Sequence, residues 1–471
     1  VSGQARGLNE KETVCMSDKS VNLLKSAIDG CVLTPRDPEY GDARLIYNRM
    51  HDSMPAAIVY PEHVADIRTS ALMAAKEGVS FAMRGGGHHI AGFSTCDGGI
   101  VLDFKKWKNI TLDVTTGILA VQPGVRLAEI DEFLVSRNLV IPTGTVSDTG
   151  LIGLTLGGGI GWLVGLYGLT CDCLVGADVV LADGRLVKAE DSEHGDLLWA
   201  LKGGSGGFGV ITELRYRPLP LPATYCGSGS VSLADTEACL SRLVFFLETQ
   251  CPGELTVAPN FSRAVSGDVV MNIDYCYSGT AIRWIDTLQA LIPEATWEAV
   301  TRWDFRDWQR NFDAKFLPPM RGYWKSSYTP SWGLDFSLLG TLMQNAPEGN
   351  CSILIEHLHG RFCDSDDAHS AFPLREARFG VLFSARWLSE SEDADYIAWV
   401  KNGIFSVDPQ GRSLSYSNYT SADDVGAAKS FSKLSRARLF SIKSVYDPDH
   451  FFKGNHGSLL FAGSGEVHRV Q

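Results

Sequence analysis

The chain has 471 residues, 45% apolar and 21% charged, an ordinary globular balance that excludes large-scale disorder. Its 42 basic and 55 acidic side chains leave a net charge of −13, which argues against an extended nucleic-acid surface, because phosphate contacts need clustered Lys and Arg. There is no run of about 18 apolar residues to suggest a transmembrane helix, and residues 1–20 lack the apolar core of a signal peptide.

Eleven cysteines, an odd number without framework spacing, lean toward a reducing compartment; a removed leader would instead place the chain outside the cell. Cys171 and Cys173 stand too close for an ordinary zinc pair, and no metal is expected.

The first strong pattern is β–α–β. Residues 57–60 are a short apolar strand ended by Pro61. Val64, Ile67, Ala71, Leu72 and Ala75 share one helical face, and Gly78 stands where a left-handed cap belongs. A strand over 79–83 then runs into Arg84-Gly85-Gly86-Gly87-His88-His89. Three consecutive glycines remove every Cβ, so the backbone can take positive φ and close on a ligand. Successive N–H groups in such a loop can cradle a phosphate. Arg84 adds a positive charge, and His88 supplies a nucleophile where a phosphate-bearing cofactor would lie. A strand at 100–104, a hairpin around Thr115-Thr116-Gly117 and a helix from Leu127 to about Asn138 follow.

A second glycine run extends from Gly150 to Gly161. Asp183-Gly184 marks another hairpin, and residues 196–202 form a short helix. Gly204-Ser205-Gly206-Gly207-Phe208-Gly209 spells the dinucleotide pattern GxGxxG. It follows a helix and opens a strand, the reverse of a Rossmann loop, so a nicotinamide domain is rejected. Pro218, Pro220 and Pro222 read as a linker. Strands are expected at 257–261, 269–277, 353–359 and 379–387. Trp297, Trp303, Trp308, Trp324 and Trp332 are mostly core, with some suited to a cavity for a ring-bearing substrate.

Residues 83–104, 196–209 and 446–455 resemble in order motifs of FAD-linked oxidases of the vanillyl-alcohol-oxidase superfamily. The nearest branch is the berberine-bridge-enzyme-like one, which includes the 6-hydroxynicotine oxidase type and the oligosaccharide oxidases. The resemblance implies an α+β fold: a two-part PCMH-type FAD-binding domain, and a substrate domain with an antiparallel sheet covered by helices. The expected division is 1–50, an N-terminal segment packing on the FAD domain; 51–220, the FAD domain; 221–410, the substrate domain; and 411–471, a return to the FAD domain.

By the same resemblance the FAD contacts would be Arg84, Gly85, Gly86, Gly87, His88, His89, Gly92, Phe93, Gly144, Thr145, Ser147, Thr149, Gly150, Gly153, Gly158, Gly159, Gly161, Gly209, Val210, Asn418, Tyr419 and Asn455. His88 would be bonded to the flavin 8α carbon. Val146 stands where bicovalent members have a thioether-forming Cys, so one covalent bond is expected. Thr149 would control oxygen access. Ile90 replaces a Tyr of the sugar oxidases, which predicts a less polar pocket there.

Tyr416-Ser417-Asn418-Tyr419 resembles the family element facing the flavin. Tyr419 is the first choice of catalytic base and Tyr416 the second. His357 falls where relatives carry a carboxylate that assists the Tyr; alternatively, His357 and His359 are two side chains on one strand face with no catalytic role. The implied activity is hydride transfer from a small hydrophobic alcohol, phenol or cyclic amine to FAD, with O2 reduced to H2O2. A dehydrogenase, a cyclase of natural-product biosynthesis and a sugar oxidase are the alternatives. The chain would act as a monomer or homodimer, with no nucleic-acid or membrane partner.

Overall fold

The computed structural model describes residues 14–280, 282–317, 320–364, 368–424 and 427–452. Three sheets carry the architecture. The first has four strands in the order Cys31–Leu33, Ala57–Tyr60, Ile100–Asp103, Phe81–Arg84. Its last three strands are parallel, and the helix Val64–Glu77 forms the crossover. That helix ends at Gly78, at φ +66°, a left-handed cap that glycine adopts without Cβ strain. Every residue of Ala57–Tyr60 and Ile100–Asp103 is buried, as expected for parallel strands covered on both faces.

The second sheet has five antiparallel strands, Ile110–Asp113, Ile118–Val121, Val210–Tyr216, Leu174–Val180 and Leu186–Ala189. The helix Gly195–Leu201 precedes Gly203–Gly209 and the strand Val210–Tyr216 follows, so the GxGxxG-like run has the reversed context. These two sheets are the half that the resemblance assigns to FAD.

The third sheet is larger and antiparallel. Its path runs through Thr296–Trp297, Thr224–Ser232, Val269–Ser278, Leu255–Arg263, Asn350–His357, Phe379–Trp387 and Arg321–Thr329. Helices Thr236–Thr249, Arg283–Leu291, Leu338–Gln344 and Asp393–Val407 cover one face, around a core that includes Phe261, Phe383, Trp387 and Trp399. Its other face looks toward the glycine loops. The strands Thr224–Ser232 and Arg321–Thr329 were not anticipated, because Gly227, Gly229 and the run Lys325-Ser326-Ser327 interrupt the apolar alternation that marks a strand.

The helix Lys433–Tyr446 packs back against Gly195–Leu201, where the Tyr446 hydroxyl donates to Asp196 (2.8 Å). Asp447, fully buried, caps the turn by accepting from Phe451 N and Phe452 N, both 2.9 Å. Asn455 lies outside the described residues. No helix among the described residues is long and apolar enough to cross a membrane.

Candidate active site

The two glycine runs meet backbone to backbone. A Cβ on Gly86 would sit 2.4 Å from Gly150 N, and one on Gly150 would sit 2.4 Å from Gly86 N. Neither position tolerates a side chain, which explains glycine at these two places. Together they floor a cleft of about 430 Å3 whose opposite wall is the large sheet. Of the expected cofactor contacts, Gly85, Gly86, Gly87, His88, His89, Gly144, Thr145, Thr149, Gly150, Gly153, Gly161, Gly209, Asn418 and Tyr419 line this cleft.

Others do not reach it. Arg84 is buried and committed elsewhere: it pairs with Asp103 (3.2 Å) and donates to the carbonyls of Ala43, Arg44 and Ser94. It props the loop from behind and offers no free charge to a phosphate. Ser147 is engaged by Asp313, which accepts from its N–H (2.9 Å) and from its hydroxyl. Gly92 abuts the His51 ring, and Phe93 packs on His89 at 4.8 Å. Gly158 and Gly159, both at positive φ, fit against Phe372 and Thr170. Val210 lies in the core behind its strand. Ile90 is buried against Gly322, so it does not set the polarity of the cleft.

The cleft fits a flavin nucleotide on its own chemistry. Ser94 Oγ and Ser205 Oγ line it, are buried and have no hydrogen-bond partner. Buried hydroxyls without partners are rare in folded proteins, and a phosphate-bearing ligand would satisfy them beside the glycine N–H groups.

His88 is oriented on two sides. Its ring stacks on Tyr47, with centroids 4.4 Å apart and planes at 20°. Its Nε2 lies 3.1 Å from Asp148 Oδ2, and Asp148 in turn pairs with Arg126 at 2.7 Å. Burial would raise the Asp148 carboxyl, but the His88 hydrogen bond and the Arg126 charge outweigh it and hold it below its ordinary value. An ionised carboxylate only accepts, so Nε2 carries a proton, and the tautomer with a lone pair has it on Nδ1. No motif pointed to Asp148. His89 is half-buried, its Nε2 donating to Ser417 O (3.2 Å), and desolvation pulls it down to about 4.

Across the cleft, the Tyr419 hydroxyl donates to Glu356 Oε1 at 3.1 Å. The Tyr328 hydroxyl donates to the other oxygen of the same carboxylate. Burial pushes Glu356 up to about 7, against the pull of these two hydrogen bonds. Burial, reinforced by the Glu356 charge, also raises Tyr419 well above its ordinary value. Tyr416 stands edge-on to Tyr419, at 4.9 Å and 87°, and its oxygen accepts from Gly159 N and Asn418 Nδ2, both 2.9 Å. Tyr416 is therefore anchored, while Tyr419 is coupled to a carboxylate that can change protonation near neutral pH.

The expected assistance from His357 is corrected here. Strand residues alternate faces, and on Asn350–His357 the side chain on the tyrosine side is Glu356. His357 points the other way, stacked on His359 at 4.3 Å and 10° and packed on Phe379. The placement was off by one residue, which in a strand moves a side chain to the opposite face. Cys251 joins the two histidines, with ligand atoms within 4.8 Å of one another. Parallel stacked rings aim their lone pairs side by side, not at one point, which suits packing better than metal ligation.

Residues 55–190 match the family model described as an FAD binding domain. An FAD-linked oxidoreductase of Dictyostelium discoideum is 28% identical over 95% of this chain and 98% of its own length. The (R)-6-hydroxynicotine oxidase of Paenarthrobacter nicotinovorans is 32% identical over 44% of this chain and 45% of its own. Among solved structures, the glucooligosaccharide oxidase of Acremonium strictum, described with a 6-S-cysteinyl, 8α-N1-histidyl FAD, superposes with a TM-score of 0.82 at 22% identity, over 92% of this chain and 98% of that one. Residues 55–190 are thus an FAD-binding domain, and the chain resembles an FAD-linked oxidoreductase over nearly its whole length and shares the fold of the oligosaccharide oxidase.

Proposed function

We propose that this chain is an oxidase that holds FAD by a single covalent bond from His88 to the 8α carbon. It would oxidise a small hydrophobic alcohol, phenol or cyclic amine and reduce O2 to H2O2. When bound, the flavin would accept the hydride and return the electrons to oxygen. The protein's own work is to hold the substrate, orient it and take its proton.

The observation that carries this reading is the Tyr419–Glu356 hydrogen bond across the cleft from His88. A substrate hydroxyl bound beside Tyr419 would give its proton to the phenol oxygen as Tyr419 passes its own to Glu356. A carboxyl near 7 can accept a proton at neutral pH and release it afterwards, which is the match a general base needs. The Asp148 contact leaves His88 Nδ1 as the nucleophilic nitrogen. Val146 lines the cleft and, having no sulfur, supports one covalent bond over two.

The test has two parts. A peptide mass spectrum should place one FAD on the peptide containing His88 and none on a cysteine. A screen of alcohols, phenols and amines should find peroxide release together with anaerobic bleaching of the flavin. Bleaching without peroxide in air would indicate a dehydrogenase. Product formation without bleaching would indicate a cyclase with no net redox change.

A further inference from the structure

Arg386 lies on the cleft side of the strand Phe379–Trp387, between Gly322 and Asn350 of the neighbouring strands. Its side chain is buried, yet Nε and Nη1 have no hydrogen-bond partner. Among the described residues no carboxylate pairs with it. Phe316 covers the guanidinium, 4.2 Å from ring centroid to the charge.

Three other guanidinium groups of low exposure are paired, Arg84 with Asp103, Arg375 with Asp172 and Arg321 with Asp393. Arg49 shares the orphaned Nε and Nη1 of Arg386 but does not line the cleft. An unpaired buried charge is strongly destabilising, because the ion loses its water in low-dielectric surroundings. Arginine does not escape that cost by losing its proton. Burial drags Arg386 below its usual value, and the groups that act against this are Tyr47 and Cys351, neither a carboxylate. Tyr47 is a second donor without a partner: its hydroxyl is buried, and its ring is the one stacked on His88.

We infer that Arg386 anchors an anionic group of the substrate, a carboxylate or a comparably acidic substituent, at the end of the cleft remote from Tyr419. This rests on the oxidase reading above and adds the substrate class: a hydrophobic body with an acidic end. Glu356 is paired with Gly380, six residues before Arg386 on the same strand. The rings of Phe316 and Trp324 lie between the guanidinium and Tyr419, so the substrate spans an aromatic stretch of the cleft. The planar guanidinium suits a carboxylate, which it can meet with two parallel N–H···O bonds.

The holoenzyme can be titrated with 4-biphenylcarboxylate and its neutral isostere 4-biphenylcarboxamide, read by the shift of the flavin visible spectrum. The wild type should bind the acid about ten- to hundredfold more tightly than the amide, the usual advantage of a charged hydrogen bond. Arg386→Met should abolish that preference while keeping its flavin, and Arg386→Lys should retain part of it. Equal affinity for the two probes in the wild type would overturn the proposal. So would a preference that survives in Arg386→Met. Loss of FAD from both variants would also overturn it, by assigning the guanidinium to the cofactor's own phosphates. A wild type without flavin would sink the oxidase reading instead, and calorimetry with the same two probes would then decide Arg386 alone.

Discussion

The two walls of the cleft are built in opposite ways. The glycine-loop wall is largely backbone: Gly86 and Gly150 touch at distances no Cβ allows, and His88, His89, Thr145 and Thr149 are its polar side chains. The sheet wall is made of side chains: Glu356, Tyr419, Trp324 and Arg386 project from strands and a short turn. Where backbone meets backbone, as at Gly86 and Gly150, residue type is constrained because any side chain would collide. A side-chain site constrains only alternate residues, and their identity can change with the ligand. The first wall suits a cofactor common to many relatives; the second suits a particular substrate.

That contrast can be broken most severely at His88. His88→Ala should abolish covalent flavin altogether, as read by acid precipitation and peptide mass, while the fold persists. Flavin that stayed bonded to the variant would move the attachment elsewhere.

Gly86→Ala tests the backbone wall itself. The new Cβ would meet the Gly150 backbone at 2.4 Å, so the loops must part. A loss of about 1–3 kcal/mol, typical of overpacking, is expected in chemical denaturation, together with weaker flavin incorporation. A variant as stable and as yellow as the wild type would show that the two loops do not depend on this contact.

The sheet wall should respond in rate and not in stability. Tyr419→Phe should slow anaerobic flavin reduction by about two to four orders of magnitude, the usual worth of a general base. Substrate affinity should change far less, because the ring still fills its place. Tyr416→Phe should have a smaller effect, since its oxygen is already occupied by Gly159 N and Asn418 Nδ2. Equal effects in stopped-flow reduction would remove the distinction between the two tyrosines. With an amine that reacts in its neutral form, both substitutions should be mild.

The same contrast explains what could be read from the sequence. The glycine runs, the Gly78 cap and the reversed GxGxxG context were legible because glycine at a fixed offset has a steric meaning. Phe379–Trp387 was legible to the residue because apolar residues dominate it, interrupted only by Gly380, Ser384 and Arg386. Arg84 misled: a cation beside a phosphate-type loop reads as a ligand contact, and only the fold shows Asp103 and three carbonyls consuming it. Glu356 was hidden by register. The segment Glu356-His357 offers two titratable neighbours, and pairing across a sheet decides which one faces the cleft. A clue was available in the alternation itself, since the inward set Ser352, Leu354 and Glu356 ends on the only acid of that strand. Asp148 and Arg386 had no local signal at all, because their meaning comes from partners distant in sequence.

The pH dependence of anaerobic flavin reduction, measured with a hydroxyl substrate on the wild type, Glu356→Gln and His357→Asn, tests the central claim most directly. Glu356 must be ionised to accept the proton, and burial places it at about 7. The wild-type rate should therefore rise as pH increases through about 7 and then level off. Glu356→Gln should be slow and lack that rise, while His357→Asn should keep both the rate and the rise. A rise that survives in Glu356→Gln and disappears in His357→Asn would contradict the account and return the proton to the histidine.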